Sequence, residues 1–269
     1  LPDQVQEQVL DDLIARSQRL GPACRIRALV FAHAFVLRFA TPGFLASWDV
    51  GVVAPAGPGV QLRERYLEGS GIPALLGIHR DSSGEAEARL RAYGAAIGCA
   101  SAGMLATTPS AEAEIDLFGE QAVLCGGMAA LCRTAFETLV EAGYPAEAAY
   151  LECVQQLRLT AELVEKHGIE GMRRRISPTA LYGDLTRGPR VIGAGVKAIM
   201  SEILAEIRSG AFAAEWMARV AEEPGWPEEG LRRARHESLE AAGEIIRGLQ
   251  GRPASGAGPG PGTAADRQM

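Results

Sequence analysis

Asp116 and Glu120 stand four residues apart in the run Asp116-Leu117-Phe118-Gly119-Glu120-Gln121, and after a long interval Glu152 and Gln156 repeat the spacing. Side chains four apart share one face of a helix. Two such helices could therefore offer carboxylate oxygens to a pair of hard cations such as Mg²⁺. Gln156 puts an amide where a fourth carboxylate would complete the pattern. Each candidate also has a plain structural reading. An acidic pair by itself is the ordinary solvated face of a helix. Ser177, before Pro178, could cap a helix. His33 and His79 flank strands and could be satisfied core histidines. Glu152 sits beside Cys153 on a mostly apolar helix, where an unpaired carboxylate would be costly, so a partner is expected. His167 and His236 read as surface residues, and Arg173, Arg174 and Arg175 as the solvated end of a helix.

Two halves of different texture must position these groups. From Cys24 to about Asp81, β-type runs over Arg27 to Phe31, Asp49 to Val53 and Ala74 to His79 alternate with helical stretches and turns. That is the rhythm of a parallel α/β sheet. From about Glu114 to Gly248, apolar residues recur every three or four positions, as in Ala146 to Lys166 and Val196 to Ile207, which predicts an all-α half. The fold class is therefore α/β plus all-α: an incomplete doubly wound sheet over residues 1–108, a helical domain over 109–250 and a disordered Gly/Pro/Ala-rich tail over 251–269. Three strands are few for a nucleotide domain, whose phosphate-binding turn follows its first strand. Gly193-Ala194-Gly195-Val196-Lys197-Ala198 fits G-x-G-x-x-A by letter, but it lies deep in the helical half and has no acidic residue about 20 positions on. Gly57-Pro58-Gly59 follows a late strand and lacks a third glycine. The simplest account is a sheet without its first half.

The chain has 269 residues, 47% hydrophobic and 22% charged, enough for a proper core in one large or two modest domains. A net charge of −6 excludes a general nucleic-acid or membrane-surface binder and leaves small polar ligands as partners. Cys24, Cys99, Cys125, Cys132 and Cys153 show no C-x-x-C spacing, so they are expected to be reduced and mostly buried thiols of a cytoplasmic protein. No stretch reads as long or apolar enough to span a bilayer, and no signal peptide is evident.

Longer runs carry a resemblance. Asp116 through Gly127, then Phe136-Glu137-Thr138-Leu139-Val140-Glu141-Ala142-Gly143-Tyr144, then Tyr182-Gly183-Asp184 with Gly188-Pro189-Arg190-Val191-Ile192, closely resemble acetohydroxy acid isomeroreductase, also called ketol-acid reductoisomerase. The likeness runs from Leu1 to about Gly248, and the helical half resembles the short-chain form. In the family, the stretch resembling Leu1-Pro2-Asp3 follows the dinucleotide fingerprint, so the chain is expected to begin partway through its cofactor domain. The resemblance implies a knotted helical domain, assembly as a homodimer or a ring of dimers, and Mg²⁺-dependent alkyl migration in 2-acetolactate or 2-aceto-2-hydroxybutyrate followed by reduction by NADPH. Asp116 resembles the ligand shared by both ions, Glu120 the ligand of the first and Glu152 the ligand of the second. Ser177 resembles the serine that holds the substrate carboxylate, and His33 the histidine at the mouth of the active site.

Two positions depart from the family. Gln156 replaces a glutamate of the second metal site, which weakens the ligand set for a hard cation. Ala56 replaces a lysine of the polar network around metals and substrate. With no glycine turn after a strand, the chain is not expected to bind NADPH. Two functions follow. The first is a fragment or impaired copy of the reductoisomerase; the second is a non-catalytic pseudoenzyme that dimerises or binds a small ligand.

Overall fold

The computed structural model describes residues 3–40 and 42–249, so the expected disordered tail over 251–269 lies outside the described residues. The described residues divide into two compact units, one within 3–121 and 200–224, the other within 122–199 and 225–249.

The first unit holds α1 (Asp3–Leu20), β1 (Ala28–Phe31), α2 (Phe35–Phe39), β2 (Asp49–Pro55), α3 (Gly59–Leu67), β3 (Ala74–Arg80), α4 (Ala86–Ala96), α5 (Cys99–Ala102), β4 (Met104–Thr107) and α6 (Pro109–Gly119). The strands form one sheet in the order β1-β2-β3-β4. The three expected strands are present, and the α/β character holds. A fourth, β4, was not foreseen, because four residues on a sheet edge are too few to show a period. The sheet is mixed: β1 and β2 are parallel, β3 and β4 are parallel, but β2 and β3 run antiparallel. The buried run Asp49–Ala54 marks β2 as a central strand. A hydrophobic run does not encode direction, which depends on how α3 returns the chain.

Alternation along β2 feeds two cores. Val50, Val52 and Ala54 pack with Trp48, Ala34 and Ala113 of α6. Val53 points the other way, to Leu76, Leu90 and Cys99. Gly77 of β3 lets the start of α6 lie on the sheet, since a Cβ there would come within 3.0 Å of the Pro109 nitrogen.

The second unit contains a π-helical turn (Glu120–Leu124, whose first two residues belong to the first unit), α7 (Gly126–Glu141), α8 (Ala146–Tyr150), a second π turn (Leu151–Gln155), α9 (Leu157–Arg173) and α10 (Pro178–Val191). After α11 (Ala194–Ser209) and α12 (Ala211–Glu222), α13 (Trp226–Ala234) and α14 (Glu237–Leu249) complete the chain. Phe136, Ala149, Tyr150, Ala242 and Ile246 form the core of this unit. Ile207 and Ala213 belong to the first unit and pack there with Phe35 and Leu117.

Three expectations need correction. The helical run Pro109–Glu141 is 33 residues long with a window of mean hydropathy 1.4, so by length and composition it could cross a membrane. The acidic pair at its start draws attention away from the apolar stretch that follows. Only Cys24 and Cys99 are buried, while Cys132 and Cys153 are half-buried and Cys125 is exposed. All five are free thiols. His79 is exposed with its ring edge-on to Phe44, not a core histidine, and His236 is half-buried against Phe136 and Glu137 rather than on the surface.

Candidate metal and substrate site

Strand β4 runs directly into α6. Thr108 caps the helix by accepting the Ala111 N–H at 3.1 Å, and Pro109 takes the first helical position, where its missing N–H is not needed. Pro109, Glu112, Ala113 and Leu117 are buried on one face of α6 as it packs over β3 and β2 to α2. This path carries Glu112 and Asp116 to the residues that follow the end of β1.

There the chain turns at His33. Its Nδ1 lies 3.3 Å from Glu112 Oε1 and 3.2 Å from Asp116 Oδ2. Glu112 is 1% exposed, and its other oxygen accepts the buried Ala34 N–H at 2.7 Å. Nδ1 thus faces carboxylates and is set to carry a proton, while Nε2 is shielded without a partner among the described residues. A cavity of about 630 Å³ opens beside the cluster, lined by His33, Asp116, Glu120 and Asp3 together with Leu10, Phe31 and Tyr93.

Charge in this corner is unbalanced. Burial opposes protonation of His33, but the hydrogen bond and charge of Glu112, with Asp116 and Asp3, outweigh it and raise its pKa. Burial raises the Asp116 carboxyl too, and Glu120, Glu112 and Asp3 push the same way against His33. Asp3 is raised by burial and by Glu112, with His33 and its hydrogen bond from Gln6 opposing. Carboxyl groups that crowd one another in this way are relieved by a hard cation. The candidate ligand atoms of His33, Glu112 and Asp116 all lie within 4.8 Å of one another. Glu112 is engaged by Ala34 and His33, so Asp116 and Glu120 are the residues suited to Mg²⁺. The donor set fits that ion.

Of the residues singled out in the sequence, the structure brings His33, Asp116 and Glu120 together. Glu152 lies in the second unit, in the π turn Leu151–Gln155, and is exposed, so the expected buried partner is not required. Gln156 closes that turn and is exposed as well. Ser177 is exposed and caps α10, accepting the Ala180 N–H at 3.2 Å. Arg173 is paired with Asp184 and Arg174 with Glu170, as a solvated helix end would be. The sequence reading missed Glu112 and Asp3. Glu112 left a signal, because it stands four residues before Asp116 and extends the series to three carboxylates. Asp3 left none; it reaches the cavity because α1 packs against α2, which follows β1.

Comparison with known proteins is decisive. Residues 110–251 match the family profile described as "Ketol-acid reductoisomerase, C-terminal domain", and residues 1–103 match "Acetohydroxy acid isomeroreductase, NADPH-binding domain". The chain belongs to the ketol-acid reductoisomerase family. It is 48% identical over 226 residues to the ketol-acid reductoisomerase (NADP(+)) of Saccharopolyspora erythraea, an alignment covering 84% of this chain and 66% of that protein. The chain thus spans just under two thirds of the length of that curated relative. A solved structure of an NADH-preferring ketol-acid reductoisomerase from an uncultured archean aligns with a TM-score of 0.86 and 39% identity, over 93% of this chain and 74% of that one. Within this reductoisomerase chain the two profile matches end and resume on either side of the β4–α6 junction, from which Glu112 and Asp116 project.

Proposed function

We propose that the chain acts on 2-acetolactate or 2-aceto-2-hydroxybutyrate as an impaired ketol-acid reductoisomerase, with Asp116 and Glu120 holding Mg²⁺ and Glu152 serving a weaker second ion. The observation that carries this reading is the contact of His33 with Glu112 and Asp116 at the wall of a cavity that Glu120 also lines. When bound, Mg²⁺ supplies Lewis-acid polarisation of the substrate's hydroxyl and keto oxygens. The chain's own residues do the rest. Glu112 fixes the ring of His33 and keeps Nδ1 protonated beside Asp116, so that the imidazole holds a proton at the wall of the cavity. Leu10 and Phe31 give the cavity an apolar wall suited to a branched alkyl group. Ser177 would hold the substrate carboxylate by donating its O–H, which stays free while its oxygen accepts the Ala180 N–H.

The dinucleotide fits less well. Gly193 lies between helices α10 and α11 rather than after a strand, and no step is assigned to NADPH in this chain. Gln156 and Ala56 support a second reading, in which the protein no longer turns over and serves as a Mg²⁺-binding subunit of a homodimer in the cytoplasm. Val123, Leu124, Met128 and Leu131 support the homodimer, being exposed together on one helical stretch.

Calorimetry tests the site. One Mg²⁺ is expected per chain, lost in Asp116→Ala, and Gln156→Glu should add a second equivalent because it restores charge at nearly constant shape. Retention of Mg²⁺ by Asp116→Ala would sink the metal assignment. An unchanged stoichiometry in Gln156→Glu would make Glu152 a structural residue.

A further inference from the structure

Tyr150 is the last residue of α8, and the π turn that carries Glu152 follows it at once. The wider turn closes with the Gln156 N–H donating to the Leu151 carbonyl, five residues back, at 3.1 Å. Such turns are rare and tend to occur at functional sites. If this one relaxed to an α-turn, the register on one side of it would slip by a residue. Residue directions there would rotate by about 100° around the helix axis, because an α-helix has 3.6 residues per turn. Glu152 would then point elsewhere, so something must hold the register.

The second unit has a device in the right place. Tyr150 is 7% exposed, inside the cluster of Phe136, Ala149, Ala242 and Ile246. Its hydroxyl accepts a hydrogen bond from Arg247 Nη1 at 3.2 Å, joining positions 97 apart in sequence. Gly243, one turn earlier on α14, permits the contact. A Cβ at Gly243 would come within 2.8 Å of two ring carbons of Tyr150 and 2.9 Å of Arg247 Nη1. Among the described residues, Arg247 Nε and Nη2 are shielded from solvent and meet no acceptor. Shielded donors of this kind carry a desolvation penalty. A leucine or methionine could fill the same space without that penalty, so packing alone does not account for an arginine here.

We propose that Tyr150, Gly243 and Arg247 form a latch that holds the end of α8 in register, keeps the π turn in place and thereby aims Glu152. Tyr150 and Arg247 are then positioning residues for the second metal ligand, and the proposal rests on the reading of Glu152 as that ligand. The latch acts on direction rather than on charge, since neither residue needs to touch the ion. Groups that orient a ligand commonly change metal affinity by about 10–100-fold when removed.

The test has two arms. In the first, hydrogen exchange is followed in the full chain. Tyr150→Phe, which removes only the accepting oxygen, and Arg247→Met should each speed exchange of the amides of residues 151–156 by about tenfold, the loss of one hydrogen bond. Arg247→Lys, which keeps a donor, should restore most of the protection. Unchanged exchange at 151–156 overturns the latch, and so does acceleration spread evenly over α8 and α14, which is the signature of packing alone. In the second arm, Tyr150→Phe is combined with Gln156→Glu and titrated with Mg²⁺. The second equivalent should weaken by about tenfold while the first is unaffected. Faster exchange with no change in the second equivalent overturns the link to Glu152. If Gln156→Glu alone shows no second equivalent, the ligand assignment has failed, and the aiming role falls with it.

Discussion

Replacing Glu112 separates two things its carboxylate does. Glu112→Ala leaves the Ala34 N–H, 0% exposed, without the acceptor that now stands at 2.7 Å. A buried donor stripped of its partner costs about 1–3 kcal/mol. The same change removes the carboxylate beside His33, and breaking a buried ionic contact by deleting one partner costs about 3–5 kcal/mol in all. Glu112→Gln keeps an oxygen for Ala34 and nearly the same shape, so it gives up only the charge-assisted part of the bond, about 1 kcal/mol. For a chain of this size each kcal/mol moves the melting temperature by about 2–4 °C, so Glu112→Ala should lower it by about 10 °C and Glu112→Gln by about 3 °C. Thermal denaturation by circular dichroism, with both variants at one pH and protein concentration, reads the difference. If Glu112→Ala melted within about 2 °C of the parent, or if Gln were as damaging as Ala, the buried carboxylate would not be the anchor of this corner.

Three further outcomes are expected. Asp49 is 2% exposed, and although burial opposes its charge, hydrogen bonds from Ser83, Ser82 and Arg89 hold its carboxyl below the usual range. A depressed carboxyl stabilises the fold above its unfolded pKa of about 3.9 and loses that contribution as pH falls through the folded value. Melts of Asp49→Ala and the parent should therefore differ at pH 7 and converge in acid; a constant gap would remove Asp49 from the account. Light scattering should report about twice 28.4 kDa, because Val123, Leu124, Met128 and Leu131 leave an apolar stretch to cover, and a monomer at high concentration would contradict this. Titration of intrinsic fluorescence with NADPH should stay flat, as the chain has no glycine fingerprint after a strand, and a saturable micromolar quench would show that another surface binds the dinucleotide.

The local parts of this protein were legible in its sequence. Spacing by four placed Asp116 and Glu120 on one face, and Glu112 belonged to the same series had it been extended one turn back. Short β-type runs found β1, β2 and β3, the 3.6-residue period found the helical half, and the resemblance carried by Asp116 through Gly127 named the family. Such signals survive because each depends on neighbours within a turn or two. The direction of β3 did not survive, because the buried residues of β2 pack equally well against a strand running either way. Nor did the π turns over Glu120–Leu124 and Leu151–Gln155, which are properties of hydrogen bonding rather than of residue type. The pairing of His33 with Glu112 joins positions 79 apart, and that of Tyr150 with Arg247 joins positions 97 apart. Contacts at such separations depend on the path of the chain across the sheet or between helices. The tertiary structure alone decides which carboxylate is buried against a backbone N–H and which is left facing the cavity.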